Sequence, residues 1–156
     1  MIRVVLYQPE IPPNTGNVAR TCAATGTPLH LIEPLGFDLS DRYTRRAGLD
    51  YWQHLSLHVH RDWDDFTATQ QQTEFAFIET AGGDLYHDIP TPRPDGSVAL
   101  VFGKETTGIP HDLLQRYPGC VYRIPMRKGI RSLNLSNSVA LVLFDLLRRQ
   151  GFRGLL

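Results

Sequence analysis

The sequence predicts an α/β fold, with a mostly parallel sheet flanked by helices. Two observations support this prediction: short apolar runs recur along the chain, and segments with helical patterns separate them. Strands that alternate with helices are typical of parallel sheets, because each helical crossover returns the chain to the same edge. The 156 residues suffice for one sizeable core and contain no repeat or low-complexity linker, so we expect a single domain over residues 1–156.

Six short runs are predicted to form the strands. Most are largely apolar, as expected for strands that are buried on both faces. The run over residues 55–60 differs, because Leu and Val alternate there with Ser and His, which indicates a half-exposed strand. The six runs are Arg3–Tyr7, Leu29–Ile32, Leu55–His60, Phe75–Glu79, Val98–Phe102 and Val121–Ile124.

Helical patterns lie between these runs. Thr15–Thr25 is predicted to form a helix that ends at Gly26, since glycine readily adopts the left-handed conformation that follows many helices. Asp62–Gln71 is predicted to form another, with acidic residues in its first turn, where the helix dipole favours them. Pro110 is expected to begin a third helix, and Ser136–Arg149 to form the last.

The last predicted helix is apolar on nearly every side. Val139–Phe144 is a run of six apolar residues, and two leucines follow shortly after it. A helix of this kind in a small domain needs a second surface to bury it. A homodimer through this helix is the simplest source of that surface. Complete burial within one chain is the alternative, less favoured for a terminal helix in so short a chain.

Charge is distributed unevenly along the chain. Sixteen Lys and Arg balance sixteen Asp and Glu, and this zero net charge argues against a protein that binds nucleic acid over its whole surface. From residue 116 onward, however, eight basic residues are accompanied by a single acid, Asp145. One basic face is therefore available to a polyanion. The alternative is that Arg148, Arg149 and Arg153 only solvate the end of the last helix.

The sequence lacks the usual signs of a membrane or secreted protein. No window approaches the eighteen or so consecutive apolar residues of a membrane span, and the N-terminus has no charged-then-apolar leader. Cys22 and Cys120 lie far apart and match neither a disulfide framework nor a zinc site. We expect a cytoplasmic protein without a metal.

Three polar, glycine-bearing segments follow predicted strands, where ligands of open α/β sheets usually bind. In the first, residues 13–20, Asn14 or Thr15 is a candidate helix cap, Gly16 allows close approach of a backbone, and free amides suit a phosphate. Arg20 lies about one turn further on, where it is able to fork onto a phosphate or a sugar. A capped helix with a surface arginine is the alternative.

The second segment, residues 100–110, contains Gly103-Lys104-Glu105-Thr106, which resembles the end of a P-loop. The first glycine of that motif is missing and Glu105 replaces its hydroxyl residue, so hydrolysis of ATP or GTP is disfavoured. The first strand is not followed by a dinucleotide fingerprint, which also disfavours the common methyltransferases with a glycine-rich first loop. The third segment, residues 124–138, holds five Ser and Asn, more than one helix cap requires. These groups indicate a pocket for a polar ligand, with a solvated loop and cap as the alternative.

Together the three segments resemble the motifs of the SPOUT superfamily of RNA 2′-O-ribose methyltransferases. They occur in the order and spacing of that family and cover nearly the whole chain. The short length and the segments Leu6–Asn17 and Arg45–Tyr51 are similar to the bacterial branch that methylates the wobble position of tRNA. The motifs are Asn14-Thr15-Gly16-Asn17-x-x-Arg20, Phe102-Gly103-x-Glu105-x-x-Gly108, and Ile124-Pro125-Met126 followed by Ser132-Leu133-Asn134-Leu135-Ser136-Asn137.

The resemblance implies an α/β domain with a deep trefoil knot near its C-terminus, acting as a homodimer. It implies that S-adenosylmethionine binds within the knot and that the activity is 2′-O-methylation of the wobble pyrimidine nucleotide in the tRNA anticodon. By position, the residues implied to contact the cofactor are Ile78, Glu79, Thr80, Gly103, Glu105, Ile124, Met126, Ser132 and Leu133.

Arg20 is the residue expected to carry catalysis. The family resemblance implies that Arg20 activates the 2′-hydroxyl group. A guanidinium with a pKa above about 12 is a poor base, so we expect it to dock a phosphate and stabilise the developing oxyanion. Asn17 and Asn137 are expected to position Arg20 or the ribose, and Glu105 to hold loops together rather than to take the proton.

Basic residues are candidates for contacts to RNA phosphates, and such binding should weaken steeply with salt. Tyr51 and Trp52 are candidates for stacking on an anticodon base, with core packing an equally good account. His54, His58 and His60 share one face of a predicted strand, and an exposed polar face explains them better than a metal site does. The candidate phosphate contacts are Arg45, Arg46, Arg127, Lys128, Arg131 and Arg153.

Two alternative functions stay open. One is ribose methylation of another tRNA site or of ribosomal RNA, and the other is a non-catalytic RNA-binding factor on the same fold. Arg20, Glu105, Ser132 and Asn137 argue against the second alternative, because a binding module needs no cofactor pocket.

Overall fold

The computed structural model describes residues 1–39 and 51–155. Two short 3₁₀ helices, Trp52–His54 and Tyr86–Asp88, accompany the main elements. No helix within the described ranges is long and apolar enough to cross a membrane. In chain order the main elements are β1 (Ile2–Tyr7), α1 (Pro12–Thr25), β2 (Leu29–Ile32), β3 (Leu57–His60), α2 (Trp63–Ala68), β4 (Thr73–Ile78), β5 (Asp84–Leu85), β6 (Ser97–Phe102), α3 (His111–Gln115), β7 (Val121–Arg123) and α4 (Leu135–Arg149).

The seven strands of the described residues form one parallel sheet, in the order β3-β2-β1-β6-β4-β7-β5. The long apolar strands β1 and β6 lie at its centre, with Leu6 of β1 beside Phe102 of β6. The predicted α/β class with a mostly parallel sheet is confirmed. The trefoil knot stays a prediction.

Alternate residues of the central strands pack into two cores on opposite faces of the sheet. Val4 and Leu6 of β1 point to the face that α1 and α4 cover. Val5, between them, points to the other face, where Trp63 and Phe66 of α2 pack. Burial on both faces explains why these strands are largely apolar.

The bounds of several elements differ from the prediction. Helix α1 begins at Pro12 rather than Thr15, because proline is well tolerated in the first turn of a helix, where its missing N–H has no partner to lose. Helix α2 ends at Ala68, three residues before the predicted end at Gln71. Strand β3 begins at Leu57, and the two-residue strand β5 was not predicted.

Helix α4 is only partly buried within one chain. Val139, Leu143 and Leu146 are fully buried against the sheet and α1. Leu141 and Phe144 point away from that core and are 39% and 44% exposed. These two side chains leave part of the helix's apolar surface uncovered within one chain, as predicted, and the homodimer that would cover it stays a prediction.

Candidate functional site

A cavity of about 880 Å³ lies where the carboxyl ends of the central strands meet. Three loops form its walls: the segment after β4, the loop after β6 and the segment between β7 and α4. The first turn of α1 closes one end through Ile11 and Asn14. The three motif segments, separated along the chain, are thus brought to one place by the parallel sheet.

The loop after β6 is folded back tightly on itself. The Gly108 amide donates to the Lys104 carbonyl at 2.9 Å, and Gly108 has a φ of +69°, a conformation that favours glycine. A Cβ on Gly103 would lie 2.3 Å from the Gly108 carbonyl carbon. The carboxylate of Glu79, at the end of β4, accepts the Ile109 amide at 2.7 Å and so fixes the far end of the loop.

Glu105 joins this loop to the start of α1. Its carboxylate accepts the backbone amides of Glu10 (2.8 Å) and Ile11 (3.2 Å). It also accepts the side-chain amide of Asn14 at 3.0 Å. Glu105 therefore holds loops together, as the sequence predicted.

Asn14 and Asn134 extend the contact to the start of α4. The Asn134 side-chain N–H donates to Asn14 Oδ1 at 2.9 Å. Asn134 Oδ1 in turn accepts the backbone amides of Ser136 and Asn137 at 2.9 and 3.3 Å, so that Asn134 is the N-cap of α4. Glu105, Asn14 and Asn134 form a directional chain of side-chain hydrogen bonds across all three motifs.

The sequence interpretation of the first motif needs a correction. Asn14 and Thr15 are not helix caps, because α1 begins earlier and its N-cap is Ile11. Both residues are buried inside the helix, and their backbone amides donate to the Ile11 carbonyl. The prediction that free amides here suit a phosphate is therefore wrong for these two residues, because both amides are already hydrogen-bonded within the helix.

Every residue predicted to contact a cofactor lines the cavity. Ile78, Ile124 and Leu133 provide apolar surface, while the loop glycines bring backbone groups to its edge. The predicted residues found there are Ile78, Glu79, Thr80, Gly103, Glu105, Ile124, Met126, Ser132 and Leu133. Asn14 and Asn134 also line it, and neither is among the predicted site residues, although the motifs contain both.

The residues predicted to be catalytic lie outside the cavity wall. Arg20 and Asn17 are exposed on α1, and Asn137 is exposed in the first turn of α4. Arg20 lies near Tyr51: burial raises the pKa of the Tyr51 phenol, and the positive charge of Arg20 opposes that shift. Within one chain, the structure does not bring Arg20 to the cavity.

Tyr51 and Trp52 stack on each other, with ring centroids 6.0 Å apart. The Tyr51 hydroxyl donates to the Gly16 carbonyl at 3.3 Å, and its ring packs against the core. These contacts favour the packing alternative for Tyr51.

Four of the six predicted RNA-contacting residues are exposed, and the remaining two, Arg45 and Arg46, lie outside the described residues. Two further basic residues, Arg148 and Arg149, form ion pairs with Asp145 at 2.9 and 3.1 Å. Arg149 also donates to the Ile89 carbonyl, so these two residues have structural partners at the helix end. The four exposed residues are Arg127, Lys128, Arg131 and Arg153, of which Arg131 also lines the cavity.

The histidines form a stack that includes one residue the sequence analysis did not consider. His30 of β2 is 4% exposed, with its ring 4.8 Å from that of His58 and 5.2 Å from that of His60. Burial lowers the pKa of His30 to about 3, and nearby positive charges add to this effect. His54 lies in a 3₁₀ helix, so the prediction that it shares a strand face with the other two was wrong. Among residues 1–39 and 51–155, no group of three or more His, Cys, Asp or Glu is arranged to hold a metal ion.

Comparison with known proteins decides the family. The model of the SpoU rRNA Methylase family matches residues 1–144. The chain belongs to the SpoU rRNA Methylase family. The resemblance read from the three motifs is thereby confirmed, and the chain is a methyltransferase by this membership.

Relatives within this family cover the full chain. The tRNA (cytidine(34)-2′-O)-methyltransferase of Burkholderia ambifaria is 52% identical over 158 residues, which span 99% of each protein. A structure solved to explain the 2-OH methylation of C/U34 on tRNA is 41% identical, with a TM-score of 0.89 and 98% of both chains covered. The AdoMet-bound rRNA methyltransferase of Sinorhizobium meliloti is 27% identical, with a TM-score of 0.80 over 95% of this chain and 56% of that one.

Proposed function

We propose that this chain transfers the methyl group of S-adenosylmethionine to the ribose 2′-oxygen of the wobble pyrimidine nucleotide, cytidine or uridine, in tRNA anticodons. The observation that carries the proposal is the similarity, at about half of all positions and along the whole chain, to a tRNA (cytidine(34)-2′-O)-methyltransferase. The similar structure solved for C/U34 methylation supports the same substrate.

The cavity fits the proposed methyl donor. Its volume of about 880 Å³ lies within the range of small-molecule sites. Ile78, Ile124 and Leu133 offer an apolar slot for an adenine ring. At Gly103 the backbone lies so close to the backbone of Gly108 that no side chain would fit between them. When bound, S-adenosylmethionine supplies an electrophilic methyl group whose bond to sulfur breaks as the ribose oxygen attacks.

The residues of the chain would act by placement and electrostatics. A ribose held near the cavity mouth needs its 2′-oxygen aligned with the methyl group, and such alignment is a large part of the rate gain in reactions of this type. Arg20, exposed on α1, would dock a phosphate and stabilise the charge that develops on the 2′-oxygen. Asn17 and Asn137 would position Arg20 or the ribose.

Basic residues would bind the RNA phosphates. The candidates are the exposed Arg127, Lys128, Arg131 and Arg153, together with Arg45 and Arg46. Because each phosphate contact releases counterions, affinity for tRNA should fall steeply as salt rises. We further propose one methyltransferase domain over residues 1–156, a cytoplasmic location, and a homodimer through α4. The exposed Leu141 and Phe144 on that helix support the homodimer.

The test uses labelled S-adenosylmethionine and bulk tRNA from a strain that lacks the enzyme, followed by nuclease digestion and mass spectrometry. We expect a 2′-O-methylated pyrimidine in an anticodon fragment. No transfer to tRNA, with cofactor binding intact, would indicate another RNA as the substrate, and binding of tRNA without any cofactor binding would leave only an RNA-binding factor.

Arg20→Ala examines the proposed role of Arg20 in the same assay. Loss of a group that stabilises an oxyanion costs about 10²- to 10³-fold in kcat. Affinity for the cofactor should stay within about twofold, since Arg20 does not line the cavity. Arg93→Ala is the matched control, because Arg93 is exposed in the loop before β6, at the amino ends of the strands, and the cavity lies at their carboxyl ends. Unchanged turnover in Arg20→Ala would refute the role.

A further inference from the structure

The loops after β1 and β6 are hydrogen-bonded to each other through the side chains of two glutamates. Glu105 accepts the Glu10 amide at 2.8 Å, as described above. In return, the Glu10 carboxylate accepts the backbone amide and the hydroxyl of Thr106, at 3.1 and 2.7 Å. Each loop thus presents one carboxylate to the backbone of the other. We call this reciprocal pair, Glu10–Thr106 and Glu105–Glu10, the glutamate latch.

Helix α1, which follows this latch directly, has no side-chain cap of its own. Its N-cap is Ile11, an apolar residue that follows Glu10 directly. Helix ends without a side-chain partner fray more readily. Two carboxylates also suit this place, since the N-terminus of a helix carries partial positive charge.

The backbone of Glu10 is held from its other side as well. The Gly36 amide donates to the Pro9 carbonyl at 2.9 Å. A Cβ on Gly36 would come within 2.7 Å of Glu10 Cα, so the loop after β2 leaves no space behind this residue. Glu10 is consequently fixed between one loop that packs behind it and another that binds its carboxylate.

We infer that Glu10 is a positioning residue for methyl transfer: it fixes the first turn of α1, and with it Arg20, relative to the cofactor cavity. The inference rests on the proposed function. Arg20 lies six residues beyond Asn14 on the same helix, or about 9 Å along its axis, so a small tilt at the first turn displaces its guanidinium. Thr106 lines the cavity whereas Glu10 does not, which separates positioning from direct cofactor contact.

The experiment compares Glu10→Ala and Glu10→Gln with the wild-type enzyme. We expect Glu10→Ala to lower kcat about 10- to 100-fold, as a misplacement near 1 Å does, while the dissociation constant of S-adenosylhomocysteine changes less than about threefold. Glu10→Gln keeps an oxygen for Thr106 and should stay within about threefold of the wild-type kcat. Glu74→Gln, at an exposed glutamate of β4, is the control and should change neither quantity.

A double-mutant cycle tests the contact itself. Thr106→Val removes the hydroxyl that binds Glu10 and should lower kcat less than Glu10→Ala does. The double variant should be no slower than Glu10→Ala, because the bond is already lost. Independent effects that multiply in the double variant would overturn the inference, as would a Glu10→Ala enzyme with wild-type kcat or with equal losses in kcat and cofactor affinity.

Hydrogen–deuterium exchange of the wild-type and Glu10→Ala proteins separates this inference from the proposed function. Amides over residues 10–20 should exchange faster in Glu10→Ala, and those of β6 should not change. If the wild-type protein methylates no tRNA, the proposed function fails, and the exchange experiment still decides whether Glu10 holds α1. Equal exchange in the two proteins would overturn the inference.

Discussion

Replacing Asn134 by aspartate should break the directional hydrogen-bond chain of the site while sparing the helix cap. Asp is as good an N-cap as Asn, so the bonds from Ser136 and Asn137 should persist. The donor that faces Asn14 Oδ1 at 2.9 Å becomes an acceptor, however. If the Asn14 side chain keeps its orientation, its oxygen faces the new carboxylate. If the Asn14 amide rotates by 180°, its N–H donates to the new carboxylate but its oxygen then faces the Glu105 carboxylate, so either orientation leaves two acceptors in contact.

The magnitude follows from the contacts that are lost. One neutral hydrogen bond contributes about 1 kcal/mol, and an unpaired polar atom on a residue as buried as Asn14 (7% exposed) costs about as much again. We expect Asn134→Asp to lower the free energy of unfolding by about 2 kcal/mol. For a domain of this size, that loss corresponds to a fall in Tm of about 4 to 8 °C.

Asn137→Asp is the matched control. It adds the same negative charge to the first turn of α4, where the helix dipole favours it by about 0.3–1 kcal/mol, and leaves the chain from Glu105 to Asn134 intact. Urea unfolding of both variants at one protein concentration measures the difference. If Asn134→Asp is as stable as Asn137→Asp, the proposed direction of the hydrogen bonds is wrong.

Two further predictions concern the cavity loop and the buried histidine. Gly108→Ala would place a Cβ 2.1 Å from Glu79 Oε1, so it should lower both thermal stability and cofactor affinity. Gly119→Ala is the control, because Gly119 has a similar positive φ but open space around it, and its effects should be smaller. Equal effects of the two substitutions would refute the steric argument. Because burial lowers the pKa of His30 from 6.5 to about 3, its contribution to stability is complete above pH 6.5 and is lost as the pH falls toward 3. Urea unfolding should show a loss of about 2 kcal/mol from this residue between pH 7 and 4.5. His30→Gln should remove that part of the pH dependence and His111→Gln, at an exposed histidine, should not; an unaltered slope in His30→Gln would contradict the prediction.

Local pattern predicted most of the sheet, because strands buried on both faces are largely apolar. Six of the seven strands were placed within two residues of their observed bounds, but β5 has only two residues and leaves no pattern to read. The start of α1 was missed because Pro12 and Pro13 suggest a loop, although the first turn of a helix accepts them. That error produced the second one, the assignment of Asn14 or Thr15 as the cap.

The candidate site was predictable in its location and less so in its internal contacts. Parallel strands send their carboxyl ends to one edge, so the polar segments after β1, β6 and β7 had to meet there. Which asparagine of each motif faces inward was not predictable. Asn14 and Asn17 differ by less than one helical turn, and only the start and orientation of α1 decide that Asn14 meets Glu105 while Asn17 meets solvent.

The sequence by itself determined the α/β class, the three motif segments that meet at the cavity and the family to which they belong. These properties depend on residue type and spacing along the chain, and hydrophobic burial translates them directly into strands and helices. Only the tertiary structure decided that Glu105, Asn14 and Asn134 form one hydrogen-bonded chain, that Glu10 grips Thr106, and that His30 is buried among histidines. Those contacts join residues 28 to 120 positions apart, and the choice of partner is fixed by the packing of whole elements rather than by any local pattern.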